Sequence, residues 1–341
     1  MTEKINKISK KTAQKKAGNK RVKSNQTAAP AVHENRVCVV GCGNVGMASA
    51  FALLQSQLVR ELVLIDADAE KAEGEAMDLQ QSIAVPMESP VKVFAGNYQD
   101  AARSSIVVVT AGVATSDPKV SRLELLDQNA KIIREIIGKL KAEDFRGILI
   151  MTTNPVDVLA HLAQKESGLP PAQVISTGTV IDTARLRVLL AEELNIEPRA
   201  VDAYIIGEHG DSEIAVWSAA RVAGLPLSKF PGAKNLPSET EMLSRVRAAA
   251  PEIIRRKGNT SYAIGMCVRR ICEAILRNER TALSVSTLLH GEYGIEGVYL
   301  GTPCIVGVGG VERIIELDLN AKERKGLLAS AEVLRQSLRD L

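Results

Sequence analysis

Residues 36–57, RVCVVGCGNVGMASAFALLQSQ, decide the fold. The apolar run VCVV predicts a short buried strand, the glycines that follow predict a tight turn, and the alanine- and leucine-rich remainder predicts a helix. Gly41, Gly43 and Gly46 have the spacing GxGxxG between the strand and the helix. The spacing alone is a weak signal, but between a strand and a helix it is typical of a dinucleotide-binding unit.

Each of these glycines, and an acid further along, has its own predicted task. Gly41 permits the tight turn, Gly43 lets the backbone approach a pyrophosphate, and Gly46 allows the helix to pack closely on the strand. The helix amino end then offers free N–H groups to the phosphates. A second strand, ELVLID, ends at Asp66, 20 residues after Gly46. A carboxylate there accepts hydrogen bonds from the adenosine ribose and repels a 2′-phosphate, so the sequence predicts NAD rather than NADP.

Three further apolar strands are predicted at VKVFAG, SIVVVTAG and GILIMTTNP, each separated by a helical or polar segment. This alternation predicts an α/β fold with a doubly wound parallel sheet, in which ligands bind beyond the carboxyl ends of the strands. Residues 110–112 and 152–154 follow two of those ends. We therefore expect Thr110, Gly112, Thr152 and Asn154 to lie beside the cofactor.

Two segments outside the predicted sheet carry charged side chains suited to a site. VATSDPKVS, residues 113–121, is polar and contains a proline, and it predicts a closing lid with Arg122 where the lid joins the next helix. TGTVIDTARLRVLLAEELNI places Asp182 and Arg185 three residues apart, on one face of an apolar helix. Taken alone, Arg122 indicates a solvated charge, and the other two residues indicate an ordinary helical ion pair.

The basic charge of the chain is confined to its first thirty residues. They contain eight lysines and Arg21 against Glu3, a net charge of +8, whereas the whole chain carries +3 and the remainder therefore −5. With almost no large apolar residues this tail cannot bury a core, and we predict that residues 1–33 are disordered. A solvated leader is the simplest interpretation. Nucleic-acid contact and organelle targeting remain alternatives, and targeting is disfavoured because transit peptides are rich in arginine and serine.

The rest of the composition indicates a soluble cytoplasmic protein. No apolar run reaches the roughly 18 residues of a membrane span, and no segment resembles a signal peptide. The cysteines number five and form no CxxC pair, so neither a disulfide framework nor a zinc site is predicted. We expect no metal, no membrane partner and no nucleic-acid partner for the body of the chain.

The motifs, taken in order, resemble those of the L-lactate and malate dehydrogenase family, and most closely those of its lactate dehydrogenases. They are GCGNVG, VLID, TAG, SRLEL, TTNPVDVL, GTVIDTARLR, GEHGD and KGNTSYAIG, and they run from about residue 36 towards the end of the chain. The resemblance implies a Rossmann NAD-binding domain over residues 34–176 and an α+β substrate domain over residues 177–341. It also implies a homotetramer, or at least a dimer.

The resemblance assigns four residues to the reaction, oxidation of an L-2-hydroxy acid and its reverse. His209 resembles the proton donor and acceptor, a role that histidine can fill in both directions near neutral pH. Asp182 resembles the partner that fixes the tautomer of His209 and stabilises its charged form. Arg185 resembles the residue that holds the substrate carboxylate through two parallel hydrogen bonds. Arg122 resembles the arginine that polarises the ketone.

The remaining assignments also come from the resemblance. Asn154 would assist both substrate and nicotinamide, and two residues, Thr260 and Ile264, would close the pocket. Those expected along the cofactor are Val45, Lys71, Tyr98 and Thr177.

The lid departs from the family pattern. Thr115 occupies the position at which lactate dehydrogenases of the family usually have glutamine and malate dehydrogenases have arginine, and the segment is one residue longer than usual. Lys119 is the only cation there, so we predict pyruvate rather than oxaloacetate, a preference that the threonine at Thr260 also supports. Malate or a broader range of 2-hydroxy acids is the alternative. A catalytically silent NAD-binding protein with a recruiting tail is a remote one.

A regulatory site of some bacterial relatives is also altered. By the family resemblance, activation by fructose 1,6-bisphosphate would require a binding site built on an arginine and a histidine. Arg187 matches the arginine, but Asp202 stands where the histidine would be. An acid repels phosphate, so we expect little or no activation.

Overall fold

The structure is a computed structural model that describes residues 33–84, 90–113 and 122–341. The predicted disordered tail lies outside this range except for His33, where the first strand begins, three residues before the strand that the sequence indicates.

Six parallel strands form the greater part of the central sheet. Their spatial order is 3-2-1-4-5-6, so the chain is wound outward in both directions from the first strand. This confirms the doubly wound α/β prediction and places a crevice between the first and fourth strands, where the order reverses. The strands are β1 (His33–Val40), β2 (Glu61–Ile65), β3 (Lys92–Ala95), β4 (Ser104–Val109), β5 (Ile148–Met151) and β6 (Val174–Ser176).

Helices cover this sheet, and its inner strands are therefore buried on both faces. Val107, Val108 and Val109 of β4 are fully buried, as expected for a continuous run of β-branched residues in a parallel sheet. The covering helices are α1 (Asn44–Leu54), α2 (Ala69–Ser82), α3 (Tyr98–Ala102), α4 (Arg122–Ala142) and α5 (Val156–Ser167). None of the described helices of the chain combines the length and apolarity that crossing a bilayer would need.

Two strands from the second half of the chain extend the same sheet. β13 (Ser286–His290) runs antiparallel to β6, with Ser286 opposite Ser176, and β14 (Glu296–Gly301) pairs antiparallel with β13. The apolar runs of the sequence carry no signal that these strands would join the edge of the first sheet. The expected boundary between the two domains, between residues 176 and 177, therefore follows β6 directly, and both halves of the chain contribute strands to one eight-stranded sheet.

The rest of the second half is a mixture of small antiparallel sheets and long helices, as the α+β prediction requires. The strands of the small sheets are β7 (Val201–Asp202), β8 (Ile205–Ile206), β9 (Ile214–Ala215), β10 (Arg221–Val222), β11 (Leu225–Pro226), β12 (Thr281–Leu283), β15 (Cys304–Gly307) and β16 (Gly310–Ile314). Their spatial orders are β11-β10-β7, β12-β15-β16 and β8-β9. The helices are α6 (Val180–Leu194), α7 (Glu239–Lys257), α8 (Tyr262–Leu276) and α9 (Ala321–Arg339).

Two of these helices bring the halves of the chain together. α9 buries Leu327, Ala331 and Leu334, which recur at helical spacing and form its packing face. α8 lies against α1 so closely that a Cβ on Gly265 would be 2.8 Å from the carbonyl carbon of Ala48. The second half of the chain is thereby held against the helix that follows the glycine turn.

Candidate active site

The glycine turn adopts the tight geometry that its sequence predicts. Gly41 has a φ of +108°, a conformation that strains any other residue, and Thr110 Oγ1 donates a hydrogen bond of 2.7 Å to its carbonyl oxygen. A Cβ on Gly46 would lie 1.8 Å from that same carbonyl oxygen. Both positions therefore require glycine for packing within the protein itself.

Gly43 differs from its neighbours because a Cβ there would meet nothing within 4 Å. It precedes the first residue of α1, and no side chain caps that helix end, so the N–H groups of the first turn, which includes Val45, face open space. Asp66 follows β2, and its Oδ2 accepts a 2.6 Å hydrogen bond from the backbone N–H of Cys42 in the turn. An open glycine at a helix amino end beside a carboxylate fits a dinucleotide.

The carboxyl ends of strands β4, β5 and β6 bring the other predicted cofactor residues to one edge of the sheet. Thr152 Oγ1 donates to the carbonyl of Val109 at 2.9 Å, which ties the ends of β4 and β5 together. A Cβ on Gly112 would lie 2.3 Å from Thr153 Cγ2, and the backbone N–H of Thr177 donates to Met151 at 3.0 Å.

Four further predicted residues belong to helices or loops rather than to these strand ends. Lys71 is exposed in the first turn of α2, where its backbone N–H donates to the capping carboxylate of Asp68. The ring of Tyr98 is half-buried, with Lys139 Nζ of α4 5.2 Å from its centre. Thr260 lies in the loop between α7 and α8, and Ile264 in the first turn of α8. The cofactor and substrate contacts expected of all four remain predictions.

The structure brings His209 and Asp182 together from positions 27 residues apart. Asp182 is buried in the first turn of α6, and its Oδ2 accepts a 2.6 Å hydrogen bond from Nδ1 of His209. The backbone N–H of His209 donates to the buried carboxylate of Asp157 in α5 at 2.8 Å. These two bonds fix the ring and leave Nε2 for a reacting group.

The charges around His209 favour its protonated form. Burial alone lowers the pKa of the imidazole, but the charge and hydrogen bond of Asp182, with the further charges of Asp157 and Glu213, raise it to about 9. Burial likewise opposes ionisation of Asp182, yet the positive charges of His209 and Arg185 outweigh it and lower the pKa of that carboxyl. Imidazolium and carboxylate thus stabilise each other at neutral pH.

His209 opens onto a cleft of about 490 Å³. Asn154, predicted to assist substrate and nicotinamide, lines the same cleft, and its backbone carbonyl accepts a 2.8 Å hydrogen bond from Asn129 of α4. The start of α4 and the end of α9 also line the cleft, through Leu123, Leu126, Val333 and Ser337. A small organic acid fits this volume, with an acid–base group on one wall.

Arg185 forms the ion pair with Asp182 that their spacing in the sequence indicates. Its Nη1 donates to Oδ1 of Asp182 at 2.7 Å, and its side chain lines an apolar cleft between α6, α7 and α8 rather than the cleft beside His209. Asp182 therefore occupies one donor of the guanidinium, and contact with the substrate carboxylate stays a prediction. Of the lid residues, Thr115 and Lys119 lie outside the described residues, and Arg122 is placed only as the first residue of α4.

Two buried carboxyl groups near His209 were missed by the sequence analysis. Burial raises the pKa of Asp157 to about 6, although the His209 N–H opposes this. Burial and the charge of Asp182 raise the pKa of Glu213 to about 8. Asp157 lies inside the motif TTNPVDVL and Glu213 lies two residues after GEHGD, but only the folded chain shows that both are buried. The expectation of no metal stays a prediction, since ligand-type atoms of Asp182, His209 and Glu213 lie within 4.8 Å of one another.

The whole described chain matches one family. Residues 35–176 match the lactate/malate dehydrogenase NAD binding domain, and residues 179–341 match the lactate/malate dehydrogenase alpha/beta C-terminal domain. The chain belongs to the lactate/malate dehydrogenase family. The predicted resemblance, the NAD cofactor and the assignment to an NAD-dependent dehydrogenase are thereby confirmed at the level of the family.

Individual relatives agree along nearly their full length. An L-lactate dehydrogenase of Priestia megaterium is 45% identical over 305 residues, 89% of this chain and 95% of the relative. One of Acetivibrio thermocellus is 43% identical over 310 residues, 90% of this chain and 97% of the relative. The solved minor L-lactate dehydrogenase of Enterococcus mundtii, in its ligands-bound form, is 42% identical with a TM-score of 0.87, and the match covers 90% of this chain and 98% of that one.

Proposed function

We propose that this protein reduces pyruvate to L-lactate with NADH and catalyses the reverse oxidation, with His209 as the proton donor and acceptor. The observation that carries the proposal is the 2.6 Å hydrogen bond between His209 Nδ1 and the buried carboxylate of Asp182, on the wall of a cleft of about 490 Å³. The relatives named L-lactate dehydrogenase support the choice of substrate.

The residues of the chain account for the proton side of the reaction. Bound NADH supplies the hydride that reduces the carbonyl carbon. His209 donates the proton at Nε2 to the carbonyl oxygen, and Asp182 keeps Nδ1 protonated throughout. In the reverse direction the neutral imidazole takes the hydroxyl proton and Asp182 stabilises the imidazolium that forms. His209 thus changes charge in each turnover while Asp182 does not.

The glycine turn and Asp66 would hold the cofactor. The pyrophosphate would lie over Gly43, where the turn has room, and the adenosine ribose would bind the carboxylate of Asp66. Thr110, Gly112, Thr152, Thr177 and Asn154 would lie along the nicotinamide half. The open position at Gly43 and the 2.6 Å bond that places Asp66 beside the turn support this arrangement.

Arg185 and Arg122 would hold and polarise the substrate. The guanidinium of Arg185 has five N–H donors and gives one to Asp182, so it can pair with the substrate carboxylate without releasing that partner. Arg122 begins α4, beside the part of that helix that lines the cleft. Closure of the lid would bring its charge to the ketone oxygen.

The choice between pyruvate and oxaloacetate depends on Thr115. An uncharged residue there leaves the second carboxylate of oxaloacetate unpaired, and an unpaired charge in a closed site costs several kcal/mol. The test is NADH oxidation with pyruvate, oxaloacetate, phenylpyruvate and 2-oxoisocaproate, for the unmodified protein and for Thr115→Arg. A preference for pyruvate that Thr115→Arg reverses supports the proposal. If oxaloacetate is preferred and that preference disappears in Lys119→Ala, the protein is a malate dehydrogenase.

The assembly and location are proposals of the same kind. A homotetramer, or at least a dimer, is supported by exposed apolar side chains on three helices, Phe51 of α1, Val188 of α6 and Met266 of α8. They border two clefts that a second copy of the chain could cover. All five cysteines are free and buried, which suits the reducing cytoplasm. Light scattering of the protein and of Met266→Glu tests the interface.

A further inference from the structure

Glu213 is the buried carboxyl group near the reaction for which the proposed mechanism has no task. It follows His209 by four residues, and its side chain is only 2% exposed. Among the described residues no group forms a hydrogen bond with its Oε1. The nearest cation is Arg247 of α7, whose Nε lies 4.0 Å away and whose Nη2 donates instead to the backbone carbonyl of Glu213. A buried carboxylate without full pairing is costly, and its presence beside a proton-transfer group asks for an explanation.

The surroundings of Glu213 point to an electrostatic task. One oxygen of Glu213, one of Asp182 and one ring nitrogen of His209 lie within 4.8 Å of one another. At that distance in a buried site, the charge of one group strongly affects the protonation of the next. The charged groups that face this cluster are Asp182 and Arg185 of α6, Arg247 of α7 and Asp157 of α5.

We propose that Glu213 is a positioning residue for the proton on His209: by becoming negatively charged beside the imidazolium, it keeps His209 protonated as the pH rises. The inference rests on the proposed function for its kinetic consequence, because the same proton is the one given to pyruvate. Glu213 itself transfers no proton to the substrate. Its charge sets the pH above which His209 no longer has a proton to give.

The charges of the two groups affect each other in the direction that this task requires. Burial, together with repulsion from Asp182, raises the pKa of Glu213 to about 8, whereas the positive charge of His209 opposes that rise. The charge of Glu213 in turn raises the pKa of His209. A negative charge on Glu213 therefore opposes the loss of the imidazole proton, and loss of that proton makes Glu213 easier to protonate.

Replacement by the uncharged amide of the same shape, Glu213→Gln, should lower the pKa of His209. An opposite charge within about 4–6 Å shifts a pKa by about 1–3 units, so we expect a shift of about one unit or more. The alkaline limb of kcat/KM for pyruvate should move down by that amount, which for one unit is about a fivefold loss at pH 9. The acidic limb of lactate oxidation should move the same way, so that lactate oxidation at pH 7 increases.

A purely structural task makes a different prediction. If Glu213 serves only to anchor α7 through Arg247, Glu213→Gln should lower the melting temperature and leave both pH limbs in place. Glu213→Asp, which keeps the charge, should restore most of the original profile under the electrostatic proposal. Glu323→Gln is the matched control, because Glu323 is also buried but its carboxylate is fully bonded to Ser218 and Asn320 and does not face His209. It should alter stability without moving either limb.

The experiment combines the two kinetic profiles with a direct titration of His209. The imidazole resonances of the free protein are followed by NMR between pH 6 and pH 10, and His209 is identified by its disappearance in His209→Asn. A lower titration midpoint in Glu213→Gln, with the midpoint unchanged in Glu323→Gln, supports the inference. An unchanged midpoint and unchanged limbs overturn it. If Glu213→Gln does not fold, Glu213→Met carries the same expectation. If the unmodified protein fails to reduce pyruvate while the midpoint still shifts, the proposed function is wrong and the electrostatic role of Glu213 stands.

Discussion

Replacing Asp182 by asparagine should turn a pH-tolerant enzyme into one that fails at alkaline pH. Asp182→Asn keeps the shape of the side chain but removes the charge that lies 2.6 Å from His209 Nδ1. The pKa of His209 should then fall from about 9 towards its ordinary value of 6.5. A change of that size corresponds to about 3 kcal/mol.

The magnitude depends on pH in a way that identifies its cause. With a pKa of about 9, nearly all His209 is charged at pH 7 and half at pH 9; with 6.5, the charged fractions are about a quarter and about 0.3%. Loss of the charged form alone should lower kcat/KM for pyruvate about 4-fold at pH 7 and on the order of 100-fold at pH 9. Burial of the imidazole lowers its pKa further in this variant, whereas the remaining charges of Asp157 and Glu213 oppose that fall.

Two measurements check this prediction. The first is kcat/KM for pyruvate from pH 6 to pH 10 in both proteins. The second is the free energy of unfolding over the same range. A folded-state pKa raised above the unfolded value gives stability that is present below about pH 6.5 and lost as the pH rises through about 9. Asp182→Asn should remove this decline. A variant with the same pH profile as the unmodified protein, at any overall rate, would refute the assignment of Asp182 as the charge partner.

Three further predictions concern the cofactor and the regulatory site. Gly46→Ala should destabilise the protein and abolish NADH binding, because its Cβ would lie 1.8 Å from a backbone oxygen. Gly43→Ala should leave the melting temperature unchanged and weaken only NADH binding, and thermal unfolding with NADH fluorescence titration distinguishes the two variants. Asp66→Ser should weaken NADH and strengthen NADPH, and equal losses for both coenzymes would contradict the ribose assignment. Fructose 1,6-bisphosphate should not lower the KM for pyruvate, because Arg187 already pairs with Asp202 at 3.3 Å; activation would show that this pair opens.

The sequence predicted the parts of the structure that local patterns determine. The glycine turn and the position of Asp66 follow from residue types at fixed spacing, and the structure has both. The shared face of Asp182 and Arg185 was also predicted, since three residues are nearly one helical turn.

Features that depend on distant contacts could not be predicted in the same way. Burial of Glu213 requires α7 to lie over its loop, and pairing of β13 with β6 requires a strand from residue 286 onward to reach an edge formed at residue 176. Neither requirement leaves a periodic trace in the sequence. The motif likewise records only that Asp182 and Arg185 are present, and it does not indicate that Arg185 also lines the apolar cleft between α6, α7 and α8.

The most direct test of the central claim is His209→Asn. Asparagine cannot donate or accept a proton at neutral pH, and general acid catalysis is worth about 100- to 10,000-fold. The rate of pyruvate reduction, measured by NADH oxidation in a single turnover, should therefore fall at least about 100-fold. NADH affinity should be unchanged, because the glycine turn and Asp66 belong to the other half of the chain. A variant that keeps more than about a tenth of the original rate, or that loses NADH binding together with activity, would contradict the assignment of His209 as the acid–base group.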